Sequence, residues 1–152
     1  MSRIRHIMLA SDFSPASRPA FRKALELARF TRARLLIAHA LPPIVPPMMG
    51  EGVYVSPATW NQIEAGARKA AQKQLDRLLQ AAQKAGVRVA GLLAEGSPAA
   101  DRIVQTARAK RIDLLVLGTH GRTGLSRLVL GSVAARVIAT AHCPVLTVRA
   151  RR

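Results

Sequence analysis

Gly118, Gly121 and Gly131, with Ser132 directly behind the last of them, are the residues of this chain whose types and spacing suggest chemistry. Their pattern is G-x-x-G, nine residues, then G-S. A glycine lets the main chain come close to a ligand at positive φ without a Cβ in the way. The N–H groups at a helix start, with the helix dipole behind them, suit an anion. The stretch follows Ile112-Asp-Leu-Leu-Val-Leu117, an apolar run with the length of a buried strand, and precedes Val133-Ala-Ala-Arg-Val-Ile138, which has helical spacing. Strand, glycine loop and helix in that order make a phosphate cradle. Ser132 adds a hydroxyl, as N-cap or as a donor to phosphate. His120 and Arg122 lie inside the loop, where either could neutralise phosphate charge or face solvent, and Arg127 stands equally between those readings. On the cradle reading, a methyl at Gly118 or Gly131 weakens nucleotide binding while the fold survives. The alternative is that the glycines only turn the chain and Ser132 only caps a helix. The spacing is neither G-x-x-x-x-G-K-[ST] nor a G-x-G-x-x-G behind the first strand, so those two nucleotide folds are not indicated.

The elements that must position this loop follow from periodicity. Short apolar runs alternate with amphipathic stretches, the pattern of βαβ units with a parallel sheet covered on both faces. Five strands are predicted: Ile4 to Ser11, Arg34 to Leu41, Val87 to Leu93, Ile112 to Leu117 and Pro144 to Val148. Ser14-Pro15 reads as N-cap plus proline at the first helical position, opening a helix that buries Ala20, Phe21, Ala24, Leu25, Leu27 and Ala28. A long helix is predicted from about Thr59 to Ala85, ended by Gly86, and another from Gly96-Ser97-Pro98 to about Lys110. Between Pro42 and Pro57 lies an irregular proline-rich linker, whose Met48, Met49, Tyr54 and Val55 fit a flap, a partner surface or packing on the domain itself.

At 152 residues and 49% hydrophobic content the chain fits a single domain, 1–152, with a real core. No apolar stretch approaches the roughly 18 residues of a membrane span. The N-terminus runs straight into a strand without signal-peptide anatomy, so a cytoplasmic location is expected. One cysteine, Cys143, excludes an internal disulfide and a multi-cysteine metal site and reads as a small core residue. His6, His39 and His142 have no carboxylate or cysteine at ligand spacing and read as structural. The net charge of +16 raises nucleic acid or another polyanion as a partner. The cations are spread over nearly every predicted element, with no dense run and few aromatics, so a solvated basic surface is preferred and nucleic acid is disfavoured.

In an open parallel sheet a ligand sits beyond the carboxyl ends of the strands where the winding order reverses. With the first and fourth strands as neighbours, the Asp12-Phe13-Ser14 turn faces the Gly118 to Ser132 loop across a crevice. Asp12 could then accept hydrogen bonds from ribose hydroxyls, with phosphates on the loop and a base edge near Ala40. Asp12 could equally shape the turn.

The Ala10-Ser-Asp12-Phe-Ser14 opening, the glycine motif and the Cys143-Pro-Val-Leu-Thr-Val ending together resemble the universal stress protein family along nearly the whole chain. The resemblance implies a three-layer α/β/α sandwich, five parallel strands in order 3-2-1-4-5, of the adenine nucleotide alpha hydrolase-like kind. The glycine motif is that of the family's ATP-binding branch, so the implied ligand is ATP, with Mg²⁺ bridging its phosphates as an open addition. The same likeness places Ala10 and Asp12 near the adenosine, Ala40 at the adenine, and Gly118, His120, Gly121, Arg122, Gly131, Ser132 and Val133 around the phosphates. Many members carry a larger apolar residue where this chain has Ala40, which implies looser packing on the base. A homodimer through the last strand is expected as well, because Pro144 to Val148 would leave a bare apolar sheet edge.

The expected function is an ATP-binding regulatory protein of the stress-response type. A slow ATPase or nucleotidyl transferase is the alternative, though no nucleophile, base and orienting group fall together in the sequence. A polyanion binder is the third possibility.

Overall fold

A computed structural model describes residues 3–44, 55–96, 98–120 and 130–150. Its elements in chain order are β1 (His6–Ala10), a 3₁₀ turn (Pro15–Ser17), α1 (Arg18–Thr31), β2 (Arg34–Leu41), α2 (Pro57–Lys84), β3 (Val89–Glu95), α3 (Ala99–Ala109), β4 (Leu114–Gly118), α4 (Ser132–Thr140) and β5 (Val145–Val148). The five strands form one parallel sheet in the order β3-β2-β1-β4-β5. β1 is central, which is why its Ile7, Met8 and Leu9 have no exposed surface and read as an unbroken apolar run rather than an alternating one. On one face α1 and α2 cover Ile7, Leu9, Leu35, Ile37 and Val116; on the other α3 and α4 cover Met8, Ala38, Leu115 and Leu117. The fold is therefore the α/β sandwich with strand order 3-2-1-4-5.

Small residues set the layer spacing. Ala20, Ala24 and Ala28 recur every fourth position of α1 and are fully buried, letting the helix lie close on the sheet. Gly91 of β3 does the same for α2, since a Cβ there would stand 2.9 Å from Leu79 Cδ1 and 3.0 Å from Leu75 Cδ2. Ser56 caps α2 by accepting the Thr59 N–H at 3.1 Å, with Pro57 at the first helical position.

Three predicted starts move. Ser14-Pro15 opens the 3₁₀ turn rather than α1, and the Ser14 hydroxyl makes no cap hydrogen bond. The N-cap of α3 is Pro98, while Ser97 lies outside the described residues. Ser132 is the first residue of α4, and Gly131, with φ −59° and ψ 150°, takes the N-cap position. Of the predicted linker, residues 45–54, among them Met48, Met49 and Tyr54, lie outside the described residues.

At the amino ends of the strands Asp113 joins β1 to β4: its Oδ2 accepts the N–H groups of Arg5 and His6, both at 2.8 Å. Burial pushes the Asp113 carboxyl up, but those two backbone N–H groups and the nearby charges of His6 and Arg5 outweigh it and hold the pKa below its ordinary value. A depressed folded-state pKa contributes stability that is present above the unfolded value of about 3.9 and is lost as pH falls through the folded value. Asp113→Ala is expected to cost about 1–2 kcal/mol at neutral pH, the site being partly exposed, and to remove part of the acid loss of stability below about pH 4. Urea titrations across pH would read both effects.

The same end of the sheet carries a concentration of cations. Arg3 and Arg5 precede β1, Arg34 opens β2 and Arg88 precedes β3. Arg29, Arg32, Lys84, Arg108, Lys110 and Arg111 lie in or just beyond the last turns of α1, α2 and α3. All ten are exposed, and Asp113 is an acid set among them, against the backbone of Arg5 and His6. Helix C-termini favour such cations through the macrodipole.

Candidate functional site

β1 and β4 are adjacent, and the chain order reverses between them, so the crevice beyond their carboxyl ends is where an open parallel sheet holds a ligand. A cavity of about 350 Å³ lies there. Ala10, Ser11 and Asp12 line it from β1 and its turn, and His39 and Ala40 from β2. Gly118, Thr119 and His120 line it from the end of β4, Gly131 to Ala134 from the start of α4, and Ala99 and Ile103 from α3. The structure thus brings together eight of the predicted residues: Ala10, Asp12, Ala40, Gly118, His120, Gly131, Ser132 and Val133. Gly121 and Arg122 lie outside the described residues, as does Arg127.

The acidic side of the crevice is a tight turn. Ser11 keeps a last ladder bond, its N–H donating to Ala38 O at 2.9 Å. Asp12 Oδ1 then accepts the Ser14 N–H at 2.9 Å, and Ser11 Oγ accepts the Phe13 N–H at 3.1 Å. Asp12 therefore shapes its turn and lines the cavity at once. Phe13 sits at φ 62°, a left-handed conformation that is costly for a bulky side chain. Its ring stacks on His39 with centroids 4.2 Å apart, and the buried His39 donates from Nδ1 to Ser11 O at 2.8 Å. His39 thus holds this turn against the end of β2 and lines the cavity as well.

The glycine side differs from expectation in its physical reason. Gly118 does not adopt a positive φ, and a Cβ built there meets His120 O at 3.5 Å and Ala16 O at 3.6 Å, which is ordinary contact. Gly131 is likewise in a conformation open to any residue. Neither glycine is needed for backbone freedom. The 3₁₀ turn passes over the strand end at Gly118 with room for a methyl there. Thr119 closes the base of the loop: its carbonyl accepts the Gly131 N–H at 2.8 Å and its own N–H donates to Val148 O at 3.1 Å. A helix start leaves four amides without an intrahelical acceptor. Here Thr119 takes that of Gly131, and those of Ser132, Val133 and Ala134 belong to residues lining the cavity. No acid stands in the first turn of α4. The arrangement can hold an anion at one end and a flat, weakly polar group between Ala10, Ala40 and Ile103.

Ser11, His39, Thr119, Ala99 and Ile103 were not singled out as site residues. Ser11 and Thr119 sit inside the quoted stretches, so adjacency was a signal. Ala99 and Ile103 reach the crevice only through the packing of α3, which no local motif reveals. Among the described residues no three His, Cys, Asp or Glu side chains are grouped to hold a metal ion. Cys143 is half-buried, and burial together with the Asp113 charge pushes its thiol pKa up, so it is held as the unreactive thiol.

A model of the universal stress protein family matches residues 3–149. The universal stress protein MJ0531 of Methanocaldococcus jannaschii is 35% identical over 145 residues, 95% of this chain and 82% of that protein. Among solved structures, a universal stress protein in complex with cAMP is similar with a TM-score of 0.67 and 26% identity, covering 99% of this chain and 100% of that one. The universal stress protein from Archaeoglobus fulgidus in complex with dAMP is similar with a TM-score of 0.66 and 25% identity, covering 97% and 100%.

Proposed function

We propose, since the chain belongs to the universal stress protein family, that its crevice binds an adenine nucleotide, ATP by preference, and that the bound nucleotide regulates rather than feeds a reaction. The observation that carries this is the start of α4: three successive helix amides on the wall of a cavity that Ala10, Ala40, Ala99 and Ile103 also line. A volume of about 350 Å³ lies in the usual range for small-molecule sites. The relatives that hold cAMP and dAMP support an adenine nucleotide as the ligand class.

In this reading Ala10 and Ala40 pack on the base, Asp12 meets the ribose, and Ser132, Val133 and Ala134 offer amides to the phosphates beside Gly118 and His120. Gly121 and Arg122 keep the phosphate role implied by the family pattern. Mg²⁺, if present, would be held chiefly by the phosphates, since Asp12 is the one acid lining the cavity among the described residues. That single carboxylate is committed in part to the Ser14 N–H, which argues against a positioned general base and for regulation over turnover. Slow hydrolysis or nucleotidyl transfer is the second reading, resting on Asp12 alone. A cytoplasmic location and a homodimer through the edge strand β5 belong to the same proposal; β5 pairs with β4 on one side and is half-buried throughout.

Calorimetry with ATP, AMP and GTP tests it. ATP is expected to bind one site per chain, at least about tenfold tighter than GTP, one mismatched hydrogen bond in a buried site being worth about 1–3 kcal/mol. Equal affinity for the two triphosphates would remove the adenine assignment, and absence of heat with all three would remove the site.

A further inference from the structure

We infer that the cationic pole at the amino ends of the strands, opposite the crevice, binds single-stranded nucleic acid. Two backbone hydrogen bonds set its geometry: Arg34 N–H donates to Arg5 O at 2.8 Å and Leu35 N–H to Arg88 O at 2.9 Å. Arg34 and Arg88 therefore stand side by side at the strand spacing of about 4.8 Å, with Arg5 on the next segment one position before His6, the register partner of Arg34. Beside this row, on the α3 side of β2 and β3, lies a cavity of about 470 Å³ lined by His6, Arg34, Arg88 and Lys110, with Leu36 and Leu92 giving it an apolar wall. Arg88 also reaches the end of α1, donating from Nη2 to Arg32 O at 2.8 Å. Phe30 sits in that last turn with 88% of its surface exposed.

The chemistry of this surface is that of a phosphate chain carrying flat bases. Guanidinium forks match phosphate oxygens. A recess with an apolar wall takes a base, and an exposed phenyl ring offers another a face to stack on. A bilayer surface, which is flat, would meet the rim of the recess and leave its wall unused. Glu95 and Asp101 pair with Arg68 and Arg136 away from the pole, and Glu26, one turn before Phe30 on α1, is paired with Lys23. No residue is shared with the nucleotide crevice, so this inference stands or falls separately from the function proposed above.

The test is fluorescence anisotropy with a labelled single-stranded oligouridylate over a salt series. Binding is expected at low salt, with log affinity falling by about 0.7 per log unit of salt for each phosphate contact. Arg5→Gln/Arg34→Gln/Lys110→Gln is expected to weaken it at least about tenfold and to flatten the slope by about 2. Arg22→Gln/Lys69→Gln/Lys73→Gln removes the same charge from the outer sides of α1 and α2 and is expected to keep the slope. Phe30→Ala is expected to weaken oligouridylate binding about fivefold or more while leaving inorganic polyphosphate binding unchanged. Circular dichroism and urea unfolding check that each variant is folded. Absence of binding at low salt, equal losses in the two triple variants, an unchanged affinity in Phe30→Ala, or binding of phosphatidylserine vesicles without binding of the RNA would each overturn the inference.

Discussion

Glutamate in place of Ser132 is expected to cut ATP affinity about 100-fold and yet raise the unfolding free energy by about 0.5 kcal/mol. The two signs have one cause. Ser132 is the first residue of α4, it is exposed, and no acid stands in that helix's first turn. A carboxylate there meets the positive end of the dipole and three amides without intrahelical acceptors, so the folded chain gains. The phosphates of a nucleotide in the crevice would want the same amides. Two unit charges about 4 Å apart at an effective dielectric near 20 repel by about 4 kcal/mol, and screening by salt leaves roughly 2–3 of it, which is the stated loss. Calorimetry for binding and urea unfolding for stability read the two numbers from one sample. An unchanged affinity with raised stability would show that the phosphates do not approach α4, and would remove the central contact of the proposed site.

The serine itself shows where sequence reading of this site succeeds and stops. Glycines followed by Ser132, between an apolar run and a helical repeat, were enough to locate the crevice, because strand, loop and helix must follow one another there. Which residue caps the helix was not legible. Gly131 and Ser132 are both competent N-caps, and the choice falls to Gly131 because its N–H is drawn to Thr119 O across the base of the loop. That bond joins residues twelve positions apart, and no local pattern encodes it. The role expected of glycine at the crevice, a positive φ, is taken instead by Phe13, which stands in the left-handed region on the opposite side.

The strands show a similar division. β2 has the predicted bounds, Arg34 to Leu41. β1 and β4 each begin two residues later than their apolar runs, at His6 and Leu114 rather than Ile4 and Ile112. Ile112 is only 5% exposed, so it belongs to the core without belonging to the ladder; burial was legible, hydrogen-bond pairing was not. Charge was the quantity hardest to read from order alone. The arginines and lysines are dispersed in sequence, which argues for a solvated surface. Parallel pairing of βαβ units, however, returns every strand start and every helix end to the same pole. Residues one unit apart in sequence, such as Arg5, Arg34 and Arg88, become neighbours. A dispersed pattern with the period of the repeat is a concentrated one in space.

His39→Ala is expected to cost about 3 kcal/mol and to lower the melting temperature by roughly 6–12 °C, since a domain of about 150 residues shifts by about 2–4 °C per kcal/mol. The side chain is 5% exposed and makes two different kinds of contact with the turn that follows β1. Its hydrogen bond to Ser11 O contributes about 1 kcal/mol, and removal leaves a carbonyl in a poorly hydrated place. Its stack on Phe13 contributes about 0.5–1.5 kcal/mol beyond area, and the cavity left by the ring adds the rest. The consequence for function is the sharper one. Phe13 holds a conformation that costs of order 1–3 kcal/mol, and it persists because its neighbours over-determine it. Without the imidazole that strain is free to relax, and the relaxation moves Ser11 and Asp12 on the wall of the crevice. ATP affinity is therefore expected to fall about tenfold in His39→Ala at a temperature where the variant is fully folded, about 1.4 kcal/mol of lost preorganisation. Phe13→Gly separates the two causes: it removes the strain and the stack together, keeps the Ser11 hydrogen bond, and is expected to bind ATP better than His39→Ala does. If both variants bind ATP as the unaltered chain does, the turn is a support for the sheet alone and Asp12 takes no part in holding the ligand.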